Sequence, residues 1–497
     1  MTRRVERFDV RGTTTTANKE ATLRAAPDSQ QFHEGIPWPS LAGTVLVFTV
    51  VVAALRSGSL LLAPASLAAV YFVALLLRAR HRMSAPDLLI LSAPFSFYSP
   101  VGPHSLVTIA DLLLPLILVM SARSMRPSGQ SPRPAVPPML VLALLSVQVV
   151  YFGALLLAST RLPEAAVGLG AFNAVKLAIA GCYLILLYMH LNSGGPRAVL
   201  RALTVWGQTA VLVSLTAIVA LAMFAVGIDF GLTYQFRAIG PFEDPNAFAV
   251  YLGVSAGVVM AANWLKHGTA FSLSLVPIFA TLLLTGSRAA LLCVALATVT
   301  VFLLAGSRRA AGSFRSATIG VLGLTVVAVL ALPSTLTSAT LSRALGALDD
   351  ADLTQDVRFF QWRAAVQLWE ASPLLGHGPA QFRTAAASVL NYSTETLAHS
   401  TYLSLLAEVG IVGLVIVLAL PAAAFLRVLF ARGALSEART FVLFAFLYAT
   451  LMGATLNLEN NRQLWLLAAI GLAWPSATRQ SPGAPTSAAI PEGEEFE

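Results

Sequence analysis

From about position 41 to position 475 the chain alternates long apolar runs with short polar breaks, and the breaks carry much of its arginine, proline and glycine. A bilayer core about 30 Å thick needs roughly 20 apolar residues per helix, fewer where neighbouring helices bury it. Apolar runs between charges and Pro/Gly breaks predict spans near 41–55, 59–77, 86–98, 105–122, 137–158, 168–189 and 204–226. Further spans fall near 245–264, 269–286, 289–305, 317–333, 400–426, 440–456 and 463–475. The runs at 41–55, 86–98 and 463–475 are short, which sets the range at 12–14 transmembrane helices. The fold class is therefore an all-α polytopic membrane protein with one large extracytoplasmic loop, 334–399. Loops of that length without structure are uncommon, so it is expected to carry helices of its own and a task.

Composition agrees with this pattern. Hydrophobic residues make up 57% of the 497 positions and charged residues 11%, with mean hydropathy +0.75. Soluble domains carry about 25% charged residues, so the charge deficit decides for the membrane. The net charge of +8 does not point to nucleic acid, because the basic residues flank apolar segments and form no contiguous basic domain. The two cysteines, Cys182 and Cys293, both lie inside apolar runs, which excludes a disulfide framework.

Charge also sets the expected orientation. With the N-terminus cytoplasmic, the groups Arg78–Arg82, Arg123–Arg133, Arg197 with Arg201, Lys266, Arg308–Arg315 and Arg427–Arg439 all fall in inner loops. The short outer loops then hold only Arg56, Arg161, Arg237, Arg288 and Arg462. Residues 1–39 lack the layout of a signal peptide and read as a disordered cytoplasmic tail. Residues 477–497, Pro/Ser/Ala-rich and ending on an acidic cluster, read as a second. Between them lie an N-terminal transmembrane bundle (40–333), the long loop (334–399) and C-terminal transmembrane helices (400–476).

The outer face is sparse in charge, so each polar group there needs an account. Phe236–Asn246 contains Arg237, Gly240, Asp244, Pro245 and Asn246. Asp244 or Asn246 can cap the next helix around Pro245, and Arg237 is either a solvated side chain or an anion ligand over a cavity. Thr285-Gly286-Ser287-Arg288 forms a hairpin too tight for Arg288 to leave the membrane surface. A helix start repels cations, so Arg288 either snorkels to lipid phosphates or joins a bound phosphate, whose oxygens suit a planar guanidinium. In the long loop, 355–371 reads as an amphipathic helix with Phe359, Trp362, Val366 and Trp369 on its apolar face and Arg363, Gln367 and Glu370 offset. Arg358 is open between substrate contact and solvated face, and Arg363 reads as solvated. Pro373–Pro379 then breaks that helix. Asp349-Asp350-Ala351-Asp352 superficially matches a metal-binding carboxylate pair but reads more simply as a solvated turn, so no metal is expected. His399 and Ser400 stand where the loop re-enters the membrane, with Glu408 and Gly410 inside the span. A neutral imidazole there can accept a proton from a hydroxyl.

Taken together, these groups resemble the O-antigen ligase/polymerase superfamily of bacterial envelope glycan enzymes. The ligase signature is His, then Asn/Ser/Gln, nine residues, Gly, two residues, then Gly/Thr/Tyr; His399, Ser400, Gly410 and Gly413 match it in full. Arg237…Gly240…Asp244-Pro245-Asn246, Thr285–Arg288, Trp362…Pro373-Leu-Leu-Gly-His-Gly and Asn461-Arg462…Trp465 match the remaining motifs in order. The resemblance covers about 230–415. It implies a cofactor-free, metal-independent, inverting glycosyltransferase of the bacterial cytoplasmic (inner) membrane, acting on the extracytoplasmic face. The donor would be a glycan on undecaprenyl diphosphate, a polyprenyl carrier, and the acceptor a hydroxyl of a glycan or glycolipid. His399 would be the catalytic base or would orient the acceptor. Arg237 and Arg288 would bind the diphosphate, with Asp244, Asn246, Ser287, Arg358, Ser400 and Glu408 supporting.

Ligase, repeat-unit polymerase and protein O-glycosyltransferase share this architecture. A lipid-linked glycan flippase or other transporter is the alternative from another class. Transporters place ionisable groups at the midplane, where Lys176 and Glu408 are the candidates, and duplicated halves would be expected, yet no convincing internal repeat is visible. Lys176 is as well explained by pairing with a carbonyl or with Glu408.

Overall fold

The computed structural model describes residues 83–96, 108–124, 136–160, 164–242, 244–304, 308–330, 357–390, 397–432 and 437–474. The expected tails at 1–39 and 477–497, the spans at 41–55 and 59–77 and the Asp349–Asp352 cluster lie outside the described residues. The described part is an all-α polytopic bundle. Its helices are α1 (Ala85–Ser92, continued by a 3-10 turn, Ala93–Ser96), α2 (Ile109–Ser124), α3 (Pro138–Ser159) and α4 (Glu164–Ala225). A two-residue hairpin comes next, β1 (Thr233–Tyr234) and β2 (Arg237–Ala238). Then come α5 (Pro245–His267), α6 (Leu275–Leu284), α7 (Arg288–Leu304), α8 (Arg308–Leu330), α9 (Val357–Ala371), α10 (Phe382–Leu390), α11 (Thr401–Leu429), α12 (Arg439–Gly453) and α13 (Arg462–Leu472).

Most helix limits reflect local chemistry. α5 starts where the Asp244 carboxylate accepts the amides of Asn246 (2.7 Å) and Ala247 (2.9 Å), with Pro245 in the first turn, where a missing N–H costs nothing. It ends at Gly268 in the left-handed conformation (φ 68°). The runs 168–189 and 204–226 are two helices meeting without a loop, at Gly195 (φ 60°, ψ −148°) before Pro196. α6 is shorter than the expected 269–286. Its first residues form a turn instead, held by Asn263 Nδ2 on the Thr269 carbonyl (2.8 Å) and by Ser313 Oγ, which accepts the Ala270 amide (2.8 Å).

Position in the bundle reflects composition. The apolar stretch of α5 is 89% buried by its neighbours, whereas those of α3 and α11 are 28% and 33% buried. α5 is thus the central helix. α3 turns Met139, Leu142, Val149 and Leu156 outward, and α7 does the same with Leu292 and Leu303. Helices of this length and apolarity, with apolar side chains facing away from the protein, fit a lipid surround.

α11 is interrupted, and the interruption docks the long loop. Gly410 (φ 67°, ψ −172°) breaks the helix, so the carbonyls of Ala407 and Glu408 lose their usual partners, the amides of Ile411 and Val412. The loop supplies replacements. The amides of His377 and Gly378 donate to the carbonyls of Ala407 (2.9 Å) and Glu408 (2.8 Å). The Ile411 amide donates to the Pro373 carbonyl (2.9 Å) and the Val412 amide to that of Leu374 (3.4 Å). At about 1.5 Å per residue, this stitch lies roughly 14 Å along α11 from its first residue.

The helix expected at 355–371 forms as α9, and it packs by a face offset from the aromatic stripe. Gln361, Ala364, Ala365 and Leu368 are buried, at i, i+3, i+4 and i+7. Ala364, Ala365 and Leu368 cluster with Phe382 of α10, Ala398 and Ala407 of α11. Of the aromatic stripe, expected to anchor the helix in the membrane interface, Phe359 is exposed and Trp362, Val366 and Trp369 are half-buried. Small side chains let α9 approach α11 closely, and the aromatics are left outside. Arg363 is exposed, as expected.

Candidate functional site

The hairpin between α4 and α5 builds the first polar assembly. Thr233 pairs with Ala238 and Tyr234 with Arg237. The two turn residues, Gln235 (φ 48°) and Phe236 (φ 58°), are both left-handed, the conformation that two-residue hairpins require. Arg237 is thereby held half-buried. Its Nε donates to the Thr285 carbonyl (2.6 Å) and its Nη2 to Asn246 Oδ1 (3.4 Å). Thr285 closes α6, whose last carbonyls have no partner within the helix and carry the negative end of its dipole. Arg237 therefore ties the 237–246 segment to the 285–288 segment.

At that second segment, Gly286 (φ 61°) makes the tight turn. Ser287 is buried and caps α7, its Oγ accepting the Ala290 amide (3.4 Å). Arg288 is the first residue of α7 and is exposed.

The second assembly surrounds the start of α11. His399 is half-buried and left-handed (φ 46°), a conformation costing a non-glycine residue on the order of 1–2 kcal/mol. The first turn of α11, just beyond it, is fixed from two sides. Ser400 caps α11 through the Leu403 amide (3.4 Å). The Thr401 amide and hydroxyl both donate to the Leu456 carbonyl (2.8 and 2.7 Å), and the Leu458 amide donates to Thr401 Oγ1 (2.9 Å). The segment joining α12 to α13 is thus clamped beside His399. It is anchored in turn by Arg462, whose Nη2 reaches Asp111 Oδ1 of α2 (2.5 Å), and by Asn460, whose amide donates to Asn173 of α4. The Glu459 carboxyl lies in this loop with its Oε2 sealed from solvent. Burial pushes it above the usual carboxylate range, opposed by hydrogen bonds from the Asn457 side chain and from backbone amides.

α5 and α12 bring the two assemblies to one end of the bundle. They run antiparallel, with the Tyr448 hydroxyl on the Ala249 carbonyl (2.8 Å) and Trp264 against Phe441. The start of α5, with Asp244 and Asn246, is therefore level with the end of α12, where the Tyr402 hydroxyl reaches the Thr450 carbonyl (2.7 Å). The opposite end carries Lys266, Arg427 and Arg439.

Glu408 is turned inward to the loop. Its carboxylate accepts the amides of Ala380 (2.8 Å) and Phe382 (3.3 Å), which open α10. Its oxygens hold the loop and do not pair with Lys176, whose ammonium sits 5.3 Å from the Phe172 ring centroid. Arg358 is half-buried in the first turn of α9. Sequence patterning does not single out Asp111, Asn173, Thr401, Glu459 or Asn460. The available signal is the density of polar residues in Asn457–Gln463, between two apolar spans.

Fold and site define a polytopic α-helical membrane protein whose polar side chains gather where loops join the helices at one end. Residues 273–418 match the family model described as O-antigen ligase. The matched stretch runs from the turn before α6, through Arg288, α9, α10 and His399, to α11 beyond the Gly410 break. It supports the O-antigen ligase-like superfamily, and with it glycan transfer of the ligase/polymerase type in general. No curated protein matches the chain.

Proposed function

We propose that the protein transfers a glycan from a polyprenyl-diphosphate donor, undecaprenyl diphosphate in bacteria, to an acceptor hydroxyl. The transfer takes place at the bundle end that carries His399, on the extracytoplasmic face of the cytoplasmic membrane. The observation that carries the reading is the union of the family match with the convergence at that end. Arg237 bonded to Thr285 joins two motif segments, and the antiparallel α5–α12 pair sets them level with His399. A lipid-linked donor requires a site where protein, lipid and water meet, and α11 supports that position. Its 29 residues extend about 44 Å, some 14 Å more than a hydrocarbon core of about 30 Å, and the stretch before Gly410 accounts for the excess.

In the proposed step the acceptor oxygen attacks the anomeric carbon of the donor while His399 takes its proton. The bond from that carbon to the diphosphate oxygen breaks, and the carrier leaves as its diphosphate, inverting the anomeric centre. Arg288, exposed at the mouth of α7, and the outer edge of Arg237 would stabilise the departing charge without a metal. Asp244, Asn246, Ser287 and Ser400 support by fixing the backbone around these groups; Glu408 fixes the loop, and Arg358 opens α9.

Purified protein given a lipid-diphosphate glycan and candidate acceptors tests the reading. The wild type should give product in the presence of chelator, while His399→Ala and Arg288→Ala should give none although both insert normally. A product ladder identifies a polymerase and a single addition a ligase. Full transfer by His399→Ala removes the base assignment, and donor movement across vesicles without product replaces transferase by flippase.

A further inference from the structure

The segment beside His399 concentrates buried polar groups that lack hydrogen-bond partners. Among the described residues, eight of the fourteen buried side-chain atoms without a hydrogen-bond partner belong to Asn457, Glu459, Asn460, Asn461, Arg462 and Gln463. Asn461 and Gln463 are 1% and 0% exposed, and all four of their amide atoms are orphaned. Each such atom costs on the order of 1–3 kcal/mol, against a total stability of about 5–15 kcal/mol for a folded protein. A set of this size calls for polar partners, from ordered water or from a ligand.

The chemistry of the set selects the occupant. A diphosphate needs donors alone and a cation needs acceptors alone. Here the orphaned atoms are mixed: amide N–H donors on Asn461 and Gln463 and the Arg462 Nε–H, with oxygen acceptors on Asn457, Glu459, Asn461 and Gln463. Alternating donors and acceptors suit hydroxyls, which do both, and a sugar ring presents several at once. Asn457, Glu459 and Asn460 are half-buried, and Asn461 and Gln463 are buried. The clamp from Thr401 to Leu456 and Leu458 sets this segment against a residue two positions from His399.

We propose that Asn457–Gln463 is a binding subsite for the hydroxyls of the acceptor sugar, a reading that rests on the proposed transfer by His399. Its test is the pair Asn461→Leu and Gln463→Met, which remove orphaned groups at similar volume. A purely structural role predicts unchanged kinetics and a melting temperature that holds or rises, because unmet polar atoms are lost. The subsite predicts the same stability together with an acceptor KM raised about tenfold or more and an unchanged donor KM. Acceptor KM values within about twofold of wild type in both variants overturn it. Should a variant fail to fold, hydrogen exchange on the wild type decides. Added acceptor glycan should protect amides 456–464, and unchanged exchange there overturns the proposal. Absence of any transfer by the wild type refutes the reaction instead. In that case saturation-transfer NMR with methyl glucoside, galactoside, mannoside and rhamnoside tests the sugar site alone, and silence from all four overturns it.

Discussion

Replacing Gly410 by alanine tests the stitch between the long loop and α11. A Cβ at position 410 would lie 2.2 Å from the carbonyl carbon and oxygen of Leu374 and 2.5 Å from the Leu375 amide nitrogen. These are backbone atoms, so no rotamer change relieves the overlap. The backbone at φ 67°, ψ −172° belongs to a region almost confined to glycine, at a cost of about 1–3 kcal/mol for other residues. Two outcomes are open to the chain. It can keep the break and bear that strain, or straighten α11 so that Ile411 and Val412 donate to Ala407 and Glu408 again. Straightening expels the loop and severs three well-formed hydrogen bonds and one long one, worth about 0.5–1.5 kcal/mol each. Straightening regains two bonds within the helix, so the loss by either route is about 1–3 kcal/mol, a sizeable part of a typical total. Gly376 faces the same constraint from the other side, its Cβ meeting the Glu408 carbonyl carbon at 2.3 Å. Hydrogen exchange in detergent or nanodiscs is the assay. Gly410→Ala should deprotect amides 377, 378, 380 and 382 while α11 stays helical, lower the melting temperature and remove transfer. Because the two glycines act at one contact, Gly376→Ala should add little to Gly410→Ala. Wild-type protection at 377–382 in Gly410→Ala would refute the argument.

Two further predictions concern the anchor beside His399. Asp111→Ala leaves the Arg462 guanidinium, 1% exposed, without its charge partner, and should cost about 3–5 kcal/mol; Thr108→Ala, which loses only the local cap on the Asp111 amide, separates that smaller effect. Equal denaturation curves for Asp111→Ala and wild type would show that the pair does not anchor the loop. The raised proton affinity of Glu459 makes the folded state bind more protons than the unfolded state once pH exceeds the ordinary carboxylate value. Its contribution to stability therefore declines as pH rises from there through the folded value, by at most about 1.4 kcal/mol per pH unit for one proton. The difference in melting temperature between Glu459→Gln and wild type should widen with pH across that window, and a constant difference contradicts the assignment.

The linear chain carries the periodic information: how many apolar runs there are, where most of them end, and which breaks hold charge. Asp244-Pro245, Gly268 and Ser400 act through neighbours within a few residues, so their caps are legible without a structure. So is the expectation that Arg237, Arg288 and His399 share one side of the bundle, which comes from counting spans. Whatever depends on helices meeting had to wait for the packed chain. Sequence makes Glu408 a possible partner of Lys176, yet it caps α10, because the Gly410 break brings a loop 26–28 residues upstream against α11. The aromatic stripe of α9 is legible as a face suited to the membrane interface, but which residues pack on the protein (361, 364, 365 and 368) is not, because close approach depends on the neighbour's shape as much as on hydrophobicity. Asp111 with Arg462, and Asn173 with Asn460, are 351 and 287 residues apart. No local pattern marks such pairs; only the packing of α2, α4 and α13 around the His399 end places them together.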